Sequence, residues 1–261
     1  MKSWHLIYNY LIYSLKSKNE HGVHSPFVYE LLLSTVYNKK NFYSYATIEK
    51  VRNELAYSSE NVNCIDLGAG SHFKNNSQKS VRSIVQSAAK PVKYAQLLFR
   101  LVNHFQPTTI LELGTSLGLS AAYMATANSK SKLITIEGCK EIAAVASRNF
   151  KKLELQNIEQ HIGNFDEVLP LILKNTNQLD FVFFDGNHRK EPTLNYFKQC
   201  LQKATDQSIF IFDDIYWSPE MTEAWEEIKK NERVTVTLDL FYFGIVFFRK
   251  EQVKEHFRIR Y

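Results

Sequence analysis

The sequence predicts an α/β protein: a seven-stranded, mostly parallel sheet closing with an antiparallel terminal hairpin, preceded by a helical appendage. Three observations carry this. From Thr108 onward, short apolar runs alternate with helical segments, as units that feed a parallel sheet require. The chain closes on RVTVTLDLFYFGIVFFRK, an alternating run followed by a nearly continuous apolar one, which reads as two paired strands. Residues 1–85 lack that rhythm, so the body is expected over 86–261 and an appendage or lid over 1–85.

The elements follow in order. Trp4, Ile7, Tyr8, Leu11, Ile12 and Leu15 recur at three-and-four spacing and predict an amphipathic helix. Its polar side lacks the dense Lys/Arg face of a membrane-surface helix, so packing against the body or a second subunit explains the stripe better. Gly22 ends one element, and Ser25-Pro26 caps and opens the next. These breaks deny His21 and His24 a common helix, leaving capping, packing or a substrate contact as their roles. A further helix is expected around Tyr45–Ala56. Strands are expected at Thr109–Leu113, Leu133–Glu137, Ile158–Ile162, Asp180–Asp185 and Ser208–Asp213, with helices near 116–127, 140–152, 166–174 and 191–203. Ser218 then caps a helix with Pro219 at its first position.

Composition bounds the function. With 261 residues, 44% of them hydrophobic, the chain can build one large core without staples. A net charge of +5 is too mild to argue for nucleic-acid binding, though an anionic small substrate stays open. Cys64, Cys139 and Cys200 are odd in number and far apart, so no disulfide framework or zinc motif is expected, and a reducing cytoplasm follows. No window approaches the ~20 apolar residues of a membrane span. The N-terminal segment, with His, Asn and Tyr mixed in, reads as mature protein.

Two glycine turns compete as a nucleotide-type site. Such a site needs a buried strand, a turn that lets backbone N–H groups approach the ligand, an immediate helix, and a carboxylate ending the next strand for ribose hydroxyls. TTILELGTSLGLSAAYMA supplies strand, turn and helix, and twenty-five residues past Glu112 the run SKLITIEG delivers Glu137. The earlier CIDLGAGS, with Asp66 to Gly70, runs into SHFKNNSQKS, and residues 67–111 hold no Asp or Glu. It is read as a tight turn closing the appendage, or a lid. The acid-free segment carries Lys74, Lys79, Arg82, Lys90, Lys93 and Arg100, which form either solvated helix faces or a funnel for an anion.

The spacing E-x-G-x-x-x-G, with only one tight turn, differs from the dinucleotide pattern and suits S-adenosylmethionine. Together ILELGTSLGLSAAYMA, LITIEG, GNFDEVLP, LDFVFFDGNH and IFIFDDIYW resemble the class I S-adenosylmethionine-dependent methyltransferases, with their Rossmann-like fold. Within that family they look like the catechol and caffeoyl-CoA O-methyltransferase branch, over about residues 86–249. The resemblance implies that Gly114, Thr115 and Gly118 form the loop around the methionine portion, with Glu112 ahead of it and Ser120 in the first helical turn. It places Glu137 on the ribose, Gly163, Asn164 and Phe165 at the adenine, and Asp185 at the methionine amine or a metal.

The resemblance also sets the chemistry to expect. His188 falls where the catechol-type enzymes place a lysine base, and an imidazole can take a hydroxyl proton at neutral pH. A loop histidine bonded to backbone is the other reading. Asp185, Asp213 and Asp214 correspond to a divalent-cation site, with Asp214 replacing the family's Asn; Mg²⁺ or Ca²⁺ suits three carboxylates. Tyr216 and Trp217 either wall a flat substrate or cover the following helix. The expected function is O-methylation of a small or conjugated metabolite by in-line transfer. An RNA-modifying methyltransferase using the basic 74–100 segment, and a non-catalytic S-adenosylmethionine-binding protein, are the alternatives. Expected partners are that small substrate, anionic if the basic segment forms a funnel, and, where the N-terminal stripe packs on a subunit and not on the body, a second copy of the chain; no membrane is expected.

Overall fold

A computed structural model describes residues 2–65 and 76–261. The chain divides into two compact units, one of Met1–Asn38 with Leu173–Tyr261 and one of Lys39–Ile172.

The first unit begins with α1 (Lys2–Lys16), a 3₁₀ turn at Glu20–Gly22, and α2 (Pro26–Leu31), which runs on into a π turn at Leu32–Val36. Ser25 Oγ accepts from the Val28 N–H and Pro26 opens α2, as its missing donor allows.

The second unit carries α3 (Tyr43–Ala56), the antiparallel pair β1 (Asn61–Ile65) and β2 (Asn76–Ser80), α4 (Val81–Ala88) and α5 (Val92–Phe105). Then come β3 (Thr109–Leu113), α6 (Leu119–Ala127), β4 (Lys132–Glu137), α7 (Lys140–Lys152), β5 (Ile158–Ile162) and α8 (Phe165–Lys174), which ends at the next unit's edge. β3, β4 and β5 lie side by side and parallel. α6 is buried from Leu119 to Ala125, and Ala121, Ala122 and Ala125 let it lie close to its neighbours. Tyr45, Phe99 and Tyr123 join this core, their rings 5.0–5.5 Å apart.

The chain re-enters the first unit with β6 (Leu179–Phe184), α9 (Lys190–Leu201), β7 (Ala204–Asp213), α10 (Pro219–Lys230), β8 (Val236–Asp239), β9 (Phe243–Phe247) and β10 (Glu255–Arg258). In this unit the strands lie in the order β10-β8-β9-β7-β6. β6 and β7 are parallel, and β9 is antiparallel to both β7 and β8, which is the expected hairpin. Ser218 caps α10, accepting from the Met221 N–H at 3.2 Å, with Pro219 at its first position.

Apart from the β1–β2 pair, the two units carry eight strands, one more than expected. The extra strand, β10, pairs parallel to β8 at the sheet's edge, where half-exposed positions need no apolar run to announce them. A second correction concerns sulfur. Cys139 is disulfide-bonded, its Sγ 3.8 Å from the Asn63 carbonyl of β1, whereas Cys200 is buried and free. Among the described residues no helix is long and apolar enough to cross a membrane.

Candidate active site

In the second unit, β3 ends in a turn that only glycine-rich sequence can make. Gly114, Ser116 and Gly118 all have positive φ, at 111°, 48° and 80°. At Gly118 space is short as well, since a Cβ would lie 2.5 Å from the Phe150 ring of α7. The turn is tied back to β4: the Gly114 and Thr115 N–H groups donate to the Ile136 carbonyl at 3.0 and 3.1 Å.

Beneath the turn lies a dry knot of side chains. Glu112 stands opposite Thr135 in the β3–β4 ladder. Ser120 Oγ donates to Glu112 Oε1 and Thr135 Oγ1 to Oε2, both at 2.6 Å, and the Thr115 and Thr135 hydroxyls share a 2.6 Å bond. Glu112 is fully buried, and burial pushes its carboxyl up to about 7 against the pull of those two hydroxyl donors. Glu112, Thr115 and Ser120 thus brace the turn from below through their side chains.

Glu137 is the half-buried carboxylate of this cluster. Its Oε2 accepts from the Ser116 N–H at 2.8 Å and its Oε1 from the Cys139 N–H at 2.9 Å. Two backbone N–H groups thus fix the direction of this carboxylate. Beyond β5, the Gly163 N–H donates to the Glu137 carbonyl at 2.9 Å, which draws the Gly163–Phe165 corner to the end of β4. Asn164 opens α8, its Oδ1 accepting from the Asp166 N–H at 3.1 Å, and Phe165 is half-buried. Ser116 and Thr135 were missed in the sequence reading. The legible signal was the small polar residue between the glycines, whose φ must be positive for its N–H to reach Glu137.

The first unit holds a second cluster. Asp185 follows β6, Asp213 ends β7, and Asp214 sits in the left-handed region at φ 55°. His188 Nε2 stands 3.7 Å from Asp185 Oδ1 and 4.0 Å from Asp214 Oδ2. Ligand atoms of Asp185, His188 and Asp213 all lie within 4.8 Å of one another. Such spacings exceed a hydrogen bond but match donors around one divalent ion. Asp185 and Asp213 of the expected trio thus stand together with His188, and Asp214 lies beside the imidazole.

Tyr216 is buried, its hydroxyl donating to Asp239 Oδ2, while Trp217 is exposed. Of the six cations, Arg100 lies buried beside Tyr45, Lys79, Arg82 and Lys93 are exposed, Lys90 is half-buried, and Lys74 falls outside the described residues. The Asp66–Gly70 turn falls outside them too. His21 and His24 are exposed in the first unit.

Comparison with known proteins agrees with this geometry. Residues 111–215 match a family model described as a methyltransferase domain. The chain is 32% identical to a catechol O-methyltransferase from Niastella koreensis over 126 residues, 47% of this chain and 55% of that protein. An uncharacterized mimivirus protein, R132, is 30% identical over 51% of this chain and 65% of its own length. The chain thus spans between about half and two thirds of the curated relatives it matches. Among solved structures, the O-methyltransferase TomG from Streptomyces achromogenes, in complex with SAM, superposes with a TM-score of 0.58 at 20% identity, covering 85% of this chain and 95% of TomG. A Bacillus cereus O-methyltransferase in complex with SAH gives 0.55 at 16% identity, over 83% and 99%. Residues 111–215 thus resemble a methyltransferase domain, and the chain shares the Rossmann-like fold of these solved structures.

Proposed function

We propose that this chain transfers a methyl group from S-adenosylmethionine to an oxygen of a small or conjugated metabolite. One observation carries the reading: in a segment that matches a methyltransferase domain, the Ser116 N–H of the glycine turn, together with the Cys139 N–H after β4, aims the Glu137 carboxylate. In this reading Gly114 to Gly118 wrap the methionine portion, Glu137 accepts from the ribose hydroxyls, and Gly163, Asn164 and Phe165 flank the adenine. The catechol O-methyltransferase among the relatives and the SAM- and SAH-bound neighbours support it.

The electrophile arrives activated on the cofactor, so the protein has to place the acceptor in line and receive its proton. His188 takes that proton on Nε2, and Asp185 and Asp214 balance the imidazolium that forms. The donor set of Asp185, Asp213 and His188 also fits a divalent cation, Mg²⁺ or one more tolerant of nitrogen. Such an ion would lower the pKa of the acceptor hydroxyl. One imidazole nitrogen cannot ligate and accept a proton at once, so the two roles of His188 exclude each other.

Thermal melts with S-adenosylhomocysteine, with and without Mg²⁺ or Mn²⁺, test the reading. The nucleoside raises the midpoint, and Glu137→Ala cuts its affinity by about a hundredfold. A flat midpoint with S-adenosylmethionine and S-adenosylhomocysteine alike overturns it.

A further inference from the structure

Helix α1 is inside out. Its apolar stripe faces away from the protein: Trp4 is 77% exposed, Tyr8 64%, Leu11 56% and Leu15 85%, with Ile7 and Tyr10 exposed beside them. The side that holds the helix to its own unit is the polar one. His5 Nε2 pairs with Thr222 Oγ1 at 3.0 Å, and Asn9 Nδ2 lies 3.0 Å from the same ring nitrogen. The Tyr13 hydroxyl donates to the Ile259 carbonyl and accepts from the Tyr261 N–H, and its ring lies 5.3 Å from that of Phe241. His5, Asn9 and Tyr13 follow at four-residue steps, so they occupy one face and leave the stripe to another.

We infer that this stripe is the interface with a second copy of the chain, formed by antiparallel pairing of α1 with its counterpart. Trp4, Tyr8, Leu11 and Leu15 are spaced four, three and four, the narrow seam of paired helices and not the broad face of a membrane-surface helix. About a twofold axis near Tyr8 and Leu11, Trp4 of one protomer meets Leu15 of its partner, and Tyr8 meets Leu11. The seam is flanked by His5, Ile7, Ile12 and Ser14, so no carboxylate or lysine is driven against its own copy. The exposed parts of Trp4, Ile7, Tyr8, Leu11 and Leu15 amount to on the order of 700 Å² per protomer, close to the roughly 800 Å² per partner of a stable interface. A lipid surface fits less well. The polar face that would carry its lysines is taken up by His5, Asn9 and Tyr13, and Lys2 and Lys16 lie only at the helix ends.

Sedimentation velocity on the full chain, up to about 50 µM, tests this. The wild type sediments as a dimer, and Leu11→Lys with Leu15→Lys weakens association by at least about a hundredfold with an unchanged far-UV circular dichroism spectrum, since both side chains are exposed on the single chain. Should that pair fail to fold, Trp4→Asp alone gives the same readout at the seam's end. A wild type that stays monomeric, a charged variant that dimerises as before, or a monomer that instead cosediments with anionic phospholipid vesicles overturns the proposal.

Discussion

Glu112 and Glu137 in one unit, and Asp185 and Asp213 in the other, begin alike as carboxylates at or just past the ends of strands, yet their surroundings make them different tools. In the first cluster short bonds meet both carboxylates: two hydroxyls at 2.6 Å on Glu112, and two backbone N–H groups at 2.8 and 2.9 Å on Glu137. In the second, the imidazole stands 3.7 and 4.0 Å from its neighbouring carboxylates. A cluster closed by its own donors holds a shape, which is what binding a large nucleoside requires. In the proposed reading, a histidine set among carboxylates serves an ion or a proton in transit. The proposed function assigns shape to the Gly114 turn and chemistry to the Asp185 cluster.

The largest effect that would break this division comes from His188→Ala. Methyl transfer should fall by about 10²–10⁴-fold, in line with losing a proton acceptor, while affinity for S-adenosylhomocysteine stays within about threefold. Single-turnover rates beside a binding titration decide it. If His188→Ala weakens nucleoside binding as much as it slows transfer, the two clusters are not functionally distinct.

The first cluster predicts a pH dependence of its own. Burial puts the Glu112 carboxyl at about 7 in the folded protein against 4.5 ordinarily, so the folded state holds a proton that the unfolded chain releases. Its contribution to stability is therefore complete below about pH 4.5 and is lost as the pH rises through about 7, a swing on the order of 3 kcal/mol. Glu112→Gln carries no such proton, so urea unfolding across about pH 5 to 8 should show a flatter curve for the variant. Parallel curves for both proteins would mean that the carboxyl under the turn is solvated or charged after all.

How far the sequence reveals these clusters depends on what each residue has to satisfy. β3 and α7 fall on their expected residues because a buried parallel strand and an amphipathic helix leave an apolar pattern, and β5 falls on its expected residues although none of it is fully buried. Gly114, Gly118, Glu137, Asp185 and Asp213 were legible because glycine at a positive φ and a carboxylate after an apolar run are local signatures. What was not legible is pairing across the ladder. Thr135 looks like any strand threonine until register sets it opposite Glu112, and His188 enters ligand position only through the loop after β6. β10 escaped notice as a charged edge strand, and the outward stripe of α1 because periodicity locates an apolar face without saying which way it points.

The smallest effect concerns how the second cluster is supported. Tyr216 follows Asp213 and Asp214 by two residues and more, and its hydroxyl donates to Asp239, a buried carboxylate at the end of β8. Asp239 also accepts from Arg258 Nε at 2.9 Å and from the Phe241 N–H at 3.0 Å, and Arg258 Nη2 donates back to the Tyr216 hydroxyl at 3.2 Å. This network joins β10, the strand beyond the expected seven, to the segment after β7. Tyr216→Phe keeps the ring stacked on Phe241 and removes one charge-assisted hydrogen bond, which should cost about 1.5 kcal/mol. If the network steadies Asp213 and Asp214 as well as the fold, the variant loses transfer rate with nucleoside affinity unchanged, and Arg258→Lys reproduces part of that loss. A stability loss with full transfer rate would confine the network to holding β10, and would leave the Asp185 cluster dependent on β6 and β7 alone.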